Sequence, residues 1–241
     1  MLVTAFTLTG TVIGAGILGL PYVFAQSGFL IGSFWLFVLG LTMIYVNLAI
    51  GEVTLRTKGV HHLPGLAERY LGKNGKTVMF LSLAFGIYSA LLAYLIGEGE
   101  SLSMLFFGSS NYAIYFAMGF WLLMTLLLGE GLRGLKKIES YGVVAIIAII
   151  LGIFVWLLPG IEVSNLVTVD YSNFLFPFGV VLFALLGFSS IPELRREIRG
   201  SERYFRRAIL VGMVLSIGLY FLFALAFVGV LGTLVPEVAT L

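Results

Sequence analysis

Two short stretches hold the residues best able to bind a charged ligand without a charged side chain. "GILGLP" runs from Gly16 to Pro21 and "GFSSIP" from Gly187 to Pro192, and both read Gly, four residues, Pro. Glycine and proline are the poorest helix formers, and proline cannot donate to the carbonyl four residues earlier. Each stretch sits inside an apolar run long enough to cross a bilayer, where an unpaired backbone group is costly unless protein or a cavity surrounds it. A break there is expected to free the carbonyls of Ile17 and Phe188 and to turn the first N–H groups of the half-helix near Ile17 toward the gap. A half-helix N-terminus favours an anion, and carbonyls at the ends of the preceding half-helices can accept from an ammonium group. Together these groups fit a zwitterion. Residues 1–50 contain no Asp, Glu, Lys or Arg at all. Close helix packing through small residues is the alternative reading; it suits Gly10 and Gly14 better than Gly16 and Pro21.

Other chemistries find little support. The chain has no cysteine, and its two histidines, His61 and His62, are adjacent in a basic loop, where an interfacial role is expected. "GFSS" (Gly187 to Ser190) has the Gly-x-Ser of membrane serine proteases, but a nucleophilic serine needs a base within hydrogen-bond reach. No apolar run contains His or Lys to supply one. No enzyme, catalytic residue, metal or cofactor is therefore expected, and the absence of like-charge runs gives no reason to expect nucleic acid.

The elements that must hold the two breaks are membrane spans. Of 241 residues, 60% are hydrophobic and 11% charged, against about 25% charged in soluble domains. Seven apolar runs stand out, at 2–26, 30–50, 77–97, 111–129, 141–158, 173–193 and 208–232, the third open to extension as far as Phe107. They lack the strict alternation of barrel strands. The first lacks the preceding positive charge of a signal peptide. The loop after the second run holds Arg56, Lys58, Arg69, Lys73 and Lys76. The loop after the fourth holds Arg133, Lys136 and Lys137, and the loop after the sixth holds Arg195, Arg196, Arg199, Arg203, Arg206 and Arg207. These are all 14 basic residues of the chain. By the positive-inside rule the N-terminus lies inside and the C-terminus outside. The fold class is thus an all-α integral membrane protein with seven transmembrane helices. Runs one and six then carry the same interruption in opposite directions, the sequence pointer to an inverted-repeat transporter with a midplane site.

These residues also carry a family resemblance. "GTVIGAGILGLPYVFAQSGF" (Gly10 to Phe29) resembles the first helix of the amino acid/auxin permease family, and of its bacterial tyrosine/tryptophan permease branch in particular. "GLAERYLGKNGK" (Gly65 to Lys76), "YSALLAYLIGEGE" (Tyr88 to Glu100) and "LFALLGFSSIPEL" (Leu182 to Leu194) resemble that branch's first cytoplasmic loop, third helix and broken sixth helix. The resemblance implies the LeuT-type fold of the APC superfamily, with helices 1 and 6 broken. It implies one transmembrane domain over 1–241, with a first repeat at about 1–160 and an incomplete second repeat at about 171–241. It also implies a cell-membrane symporter of neutral, hydrophobic or aromatic amino acids in a prokaryote, with H+ favoured over Na+ as coupling ion. The substrate contacts carried over are Gly14, Ala15, Gly16 and Ile17 on the first span and Phe183, Leu186, Gly187, Phe188 and Ser189 on the sixth. Tyr88 on the third either faces the same pocket or packs as an ordinary aromatic.

Four carboxylates are coupling or gating candidates. Glu100 matches a family glutamate at the outer end of span three and Glu98 does not; both read as solvated caps or as proton sensors. Glu52 also matches the family and is expected to pair with a loop arginine such as Arg56. Glu193, beside Arg195, Arg196 and Arg199, is an inner-gate ion pair or a solvated helix end. Two departures from the family pattern matter. The second repeat stops after its second member, so the expected partners are the amino acid, the bilayer and either missing C-terminal helices or a second subunit. Some relatives carry a lysine in the fifth helix where Ile146 stands here. A non-transporting amino acid sensor, an assembly subunit and a non-functional piece of a longer permease are the competing readings.

Overall fold

The computed structural model describes residues 1–14, 16–59, 61–129, 132–198 and 200–237, with side chains not described at 128 and 132–140. The described residues form ten α-helices and no strand: α1 (Leu2–Val12), α2 (Gly16–Ser27), α3 (Phe29–Arg56), α4 (Leu63–Phe107), α5 (Ala113–Gly129), α6 (Leu132–Leu157), α7 (Val163–Leu166), α8 (Phe176–Ala184), α9 (Ile191–Glu197) and α10 (Phe205–Leu231). Six stretches are long and apolar enough to cross a membrane, or seven if α1 and α2, bent by 61°, count as one. The third expected run does continue to Phe107. It is preceded by a short surface helix, because Gly72 (φ 73°, ψ −169°) breaks the helical path within α4.

Helix α10 is the hub. It packs against α1, α2, α3 and α6, and its Met213, Tyr220 and Ala224 have no exposed surface. Small residues let backbones approach it. A methyl group on Gly212 would stand 2.8 Å from the Ala5 carbonyl of α1, and the buried Thr9 hydroxyl bonds both its own turn, at Ala5 O, and the Gly212 carbonyl. Helices α4 and α5 behave differently. They pack on each other through Gly99, whose missing side chain leaves room for the Ala113 carbonyl, yet no residue in their most apolar windows is buried. Hydrophobic faces left uncovered in this way suit lipid or further protein, not water.

The long loop before α8 closes one end of the molecule. Asp170 N–H donates to Ser27 O, Glu162 N–H to Gly229 O, and the Trp35 indole to Phe174 O. Hydrogen bonds from Ser172 hold the exposed Asp170 carboxyl below its usual value. This contribution to loop order is present above the free carboxylate pKa and fades as pH falls through the lowered one. Gly28 makes the tight approach possible: its φ is +88°, and a Cβ there would stand 2.3 Å from Thr168 O. Gly28→Ala is expected to destabilise the chain by about 1–3 kcal/mol, read as a lower unfolding temperature in detergent.

The opposite end gathers basic residues. The Arg195 guanidinium of α9 donates to carbonyls at the end of α3, and Arg206 at the start of α10 lines the same recess as Glu52. The loops after the second and sixth runs therefore share one end. The α1/α2 pair leaves this end, where Ala5 meets Gly212, and reaches the loop end at Ser27. The α8/α9 pair makes the return journey, from Phe178 beside Trp35 to Arg195.

Candidate functional site

Both interruptions expected from the sequence are present. The first half-helix α1 ends at Val12, with Ile13 off helical geometry (φ −74°, ψ 89°), and α2 restarts at Gly16. In the other arm α8 ends at Ala184, Gly187 departs from helical geometry (φ −145°, ψ −3°), and a single 3-10 turn (Phe188–Ser190) leads into α9. Glycine is what lets the two breaks touch. A Cβ on Gly16 would stand 2.5 Å from the Cα of Ala184, and one on Gly187 would stand 2.5 Å from Val12 Cγ2. The contacts 12 with 187 and 16 with 184 are antiparallel, so the end of each leading half-helix lies beside the start of the other arm's return.

A cavity of about 340 Å³ opens at this crossing. Thr11, Gly14 and Gly16 form one wall, and Phe183, Leu186, Phe188 and Ser189 a second. The third wall is the Ser82, Gly86, Ala90 and Tyr94 ridge of α4. These four are spaced by four residues, one stripe of a helix. The Tyr94 hydroxyl rests on Gly14, where a Cβ would come within 2.3 Å of it.

The structure places several of the expected site residues away from the cavity lining. Tyr88 does not face this cavity. It is 74% exposed and lines a separate apolar groove on α4 and α5 with Leu91, Leu92 and Trp121. Six residues separate it from Tyr94, which rotates it to another side of the helix, so Tyr94 holds the place expected of Tyr88. Ile17 packs into the core instead of the cavity, and its amide donates to Gly14 O at 3.1 Å. The Phe188 carbonyl is not free, because the 3-10 turn lets Ile191 N–H reach it where an α-helical bond would have required Pro192. Gly187 serves the packing of the break against Val12. Ala15 lies outside the described residues.

The carboxylates fall at the ends of the molecule. Glu52 pairs with Arg56 one turn along α3. Glu193 faces His62 at 3.4 Å, an ion pair only when the imidazole is protonated, and not its neighbouring arginines. Arg195 turns away to cap α3, donating to Thr54 O, Thr57 O (2.9 Å) and Gly59 O (3.1 Å). Glu98 and Glu100 are half-buried near the end of α4 and line no part of the cavity. No cluster of metal-ligating residues occurs among the described residues.

One participant was not anticipated. Tyr220 of α10 is fully buried, and its hydroxyl lies 2.6 Å from Val12 O and 2.8 Å from Ala184 O. These are the last helical carbonyls of α1 and α8. The only sequence signal was a tyrosine in the middle of a span whose one other polar residue is Ser216.

A multi-pass helical membrane protein with two crossed, broken helices around a small cavity is the class this architecture defines. The chain belongs to the tryptophan/tyrosine permease family, whose model matches residues 1–236. It is 30% identical over 243 residues to the tyrosine-specific transport system 2 of Haemophilus influenzae, covering 95% of this chain and 58% of that protein. It is 29% identical over 234 residues to tyrosine-specific transport system 1 of the same organism (93% and 56% covered). It is 24% identical over 234 residues to glutamine transporter 2 of Aliivibrio fischeri (94% and 60%). The chain thus spans somewhat under two thirds of the length of these relatives. The family is one of membrane transporters, not enzymes.

Proposed function

We propose that the chain carries the substrate site of a secondary active amino acid transporter built on the LeuT-type inverted repeat. The single observation behind this reading is the antiparallel crossing of the two breaks, Gly16 on Ala184 and Gly187 on Val12, beside the open cavity. The start of α2 offers amides and a positive dipole end to a carboxylate. Phe183, Phe188 and Tyr94 offer apolar and aromatic surface to a neutral side chain. The absence of a charged side chain in the cavity lining favours neutral over acidic or basic substrates. The amino acid sits between the breaks, with the basic end of the molecule toward the cytoplasm and a proton as the coupling ion. The tyrosine transporters among the relatives make an aromatic substrate the first to test.

The test is uptake of labelled tyrosine into proteoliposomes containing the chain, under an inward proton gradient. Accumulation that collapses with a protonophore is expected. Binding without flux would replace transport by a sensor role. Phe188→Ala is expected to weaken tyrosine binding about tenfold, while Tyr88→Ala leaves it unchanged; equal losses would mean that the cavity is not the site.

A further inference from the structure

The Tyr220 hydroxyl occupies a peculiar position. It is the point on which the C-terminal ends of two half-helices converge. Each end carries unsatisfied carbonyls and a partial negative charge of roughly half an elementary charge. Two such ends brought within reach of one oxygen repel each other unless a positive or hydrogen-bonding group stands between them. In broken-helix transporters, half-helix ends of this kind are places where a small cation can bind. Here Val12 O and Ala184 O are 2.6 Å and 2.8 Å from a phenolic oxygen carried in by α10. The ring behind it is sealed in the core, with no exposed surface. One O–H supplies one proton to two acceptors, a shared bond in which each carbonyl keeps a partial claim.

We propose that Tyr220 is a positioning residue that stands in place of a cation. Its hydroxyl clamps the ends of α1 and α8 together and keeps the binding geometry at the breaks independent of sodium at this point. This rests on the site reading given above, although the clamp itself involves no substrate. Removing the hydroxyl while keeping the ring leaves both carbonyls without their shared donor, beside the Gly14 backbone and the Tyr94 hydroxyl. An unsatisfied buried acceptor is costly, and a monovalent cation with oxygen ligands is the simplest replacement. In the native chain the phenol hydroxyl already occupies the point between the two carbonyls.

The experiment compares the wild-type chain with Tyr220→Phe in nanodiscs, in sodium chloride and in choline chloride of equal ionic strength. Two quantities are read: unfolding temperature and binding of labelled tyrosine. In the wild type neither is expected to differ between the salts. In Tyr220→Phe both fall in choline, tyrosine binding by about tenfold or more, and both recover at least in part in sodium. If the variant cannot be purified in choline but can in sodium, the proposal stands; failure in both salts overturns it. Equal behaviour of the variant in both salts, or a sodium requirement in the wild type, also overturns it. The two readings are separable. If neither protein binds tyrosine but the variant's unfolding temperature depends on sodium, the clamp survives and the substrate assignment fails. If the wild type binds tyrosine and the variant ignores sodium, the site survives and the clamp fails.

Discussion

Gly16→Ala is expected to lower the unfolding temperature and to abolish amino acid binding. The added methyl would stand 2.5 Å from Ala184 Cα, 2.7 Å from its Cβ and 3.1 Å from its nitrogen. These are mostly backbone atoms, so no flexible side chain can swing aside. Relief requires α2 and α8 to separate, and Tyr220 could not then reach both Val12 O and Ala184 O. Overpacking of this kind costs about 1–3 kcal/mol in ordinary cores, and loss of the shared hydrogen bond adds to it. Gly19→Ala is the internal control. Its nearest neighbour would be Val180 Cγ1 at 3.4 Å, an ordinary contact, and alanine is the better helix former, so stability should hold or rise. Thermal unfolding in detergent and tyrosine binding check both variants. A Gly16→Ala protein as stable as the wild type would show that the half-helices do not cross at this glycine.

The second large effect is expected at Arg195. Its guanidinium closes the C-terminal end of α3 through Thr54 O, Thr57 O and Gly59 O, and so ties α9 to the loop that follows α3. A cation at a helix C-terminus is favoured by the dipole as well as by the bonds. Hydrogen bonds from a charged donor contribute about 1.5–3 kcal/mol, so Arg195→Ala should lower the unfolding temperature by roughly 3–12 °C. Arg195→Lys keeps the charge but not the planar fork, and should recover only part of the loss. The exposed Arg196 next to it makes no such contact, and Arg196→Ala should change little. If the Arg195 and Arg196 alanine variants melt together, the cap contributes nothing in solution.

The breaks were legible because glycine and proline in a mid-membrane run contradict local propensity, and such a contradiction persists only where something compensates for it. The basic loops were legible because charge is read directly. The role of Gly16 was half legible: its type marked the break, but its partner, Ala184, is 168 positions away. The side of Tyr88 was left open for a related reason. Span α4 is apolar on all sides, so periodicity did not say which face turned inward. The ridge of small residues Ser82, Gly86 and Ala90, ending at Tyr94, was the available signal. For Glu193 the sequence left an ion pair with its neighbours and a solvated helix end both open; folding sets it beside His62, and Arg195 meets backbone carbonyls instead of a carboxylate.

The sequence by itself determined that this chain is a helical membrane protein of the tryptophan/tyrosine permease family, with interrupted first and sixth spans. Composition, spacing and loop charge are local properties, and hydrocarbon punishes any departure from them. The tertiary structure alone decided how the interruptions are used. It crossed them antiparallel, set Tyr94 on Gly14, and brought Tyr220 of α10 to the carbonyls at both breaks. Those pairings join residues up to 208 positions apart, and such distant hydrogen bonds depend on how three helices pack, which no local pattern encodes.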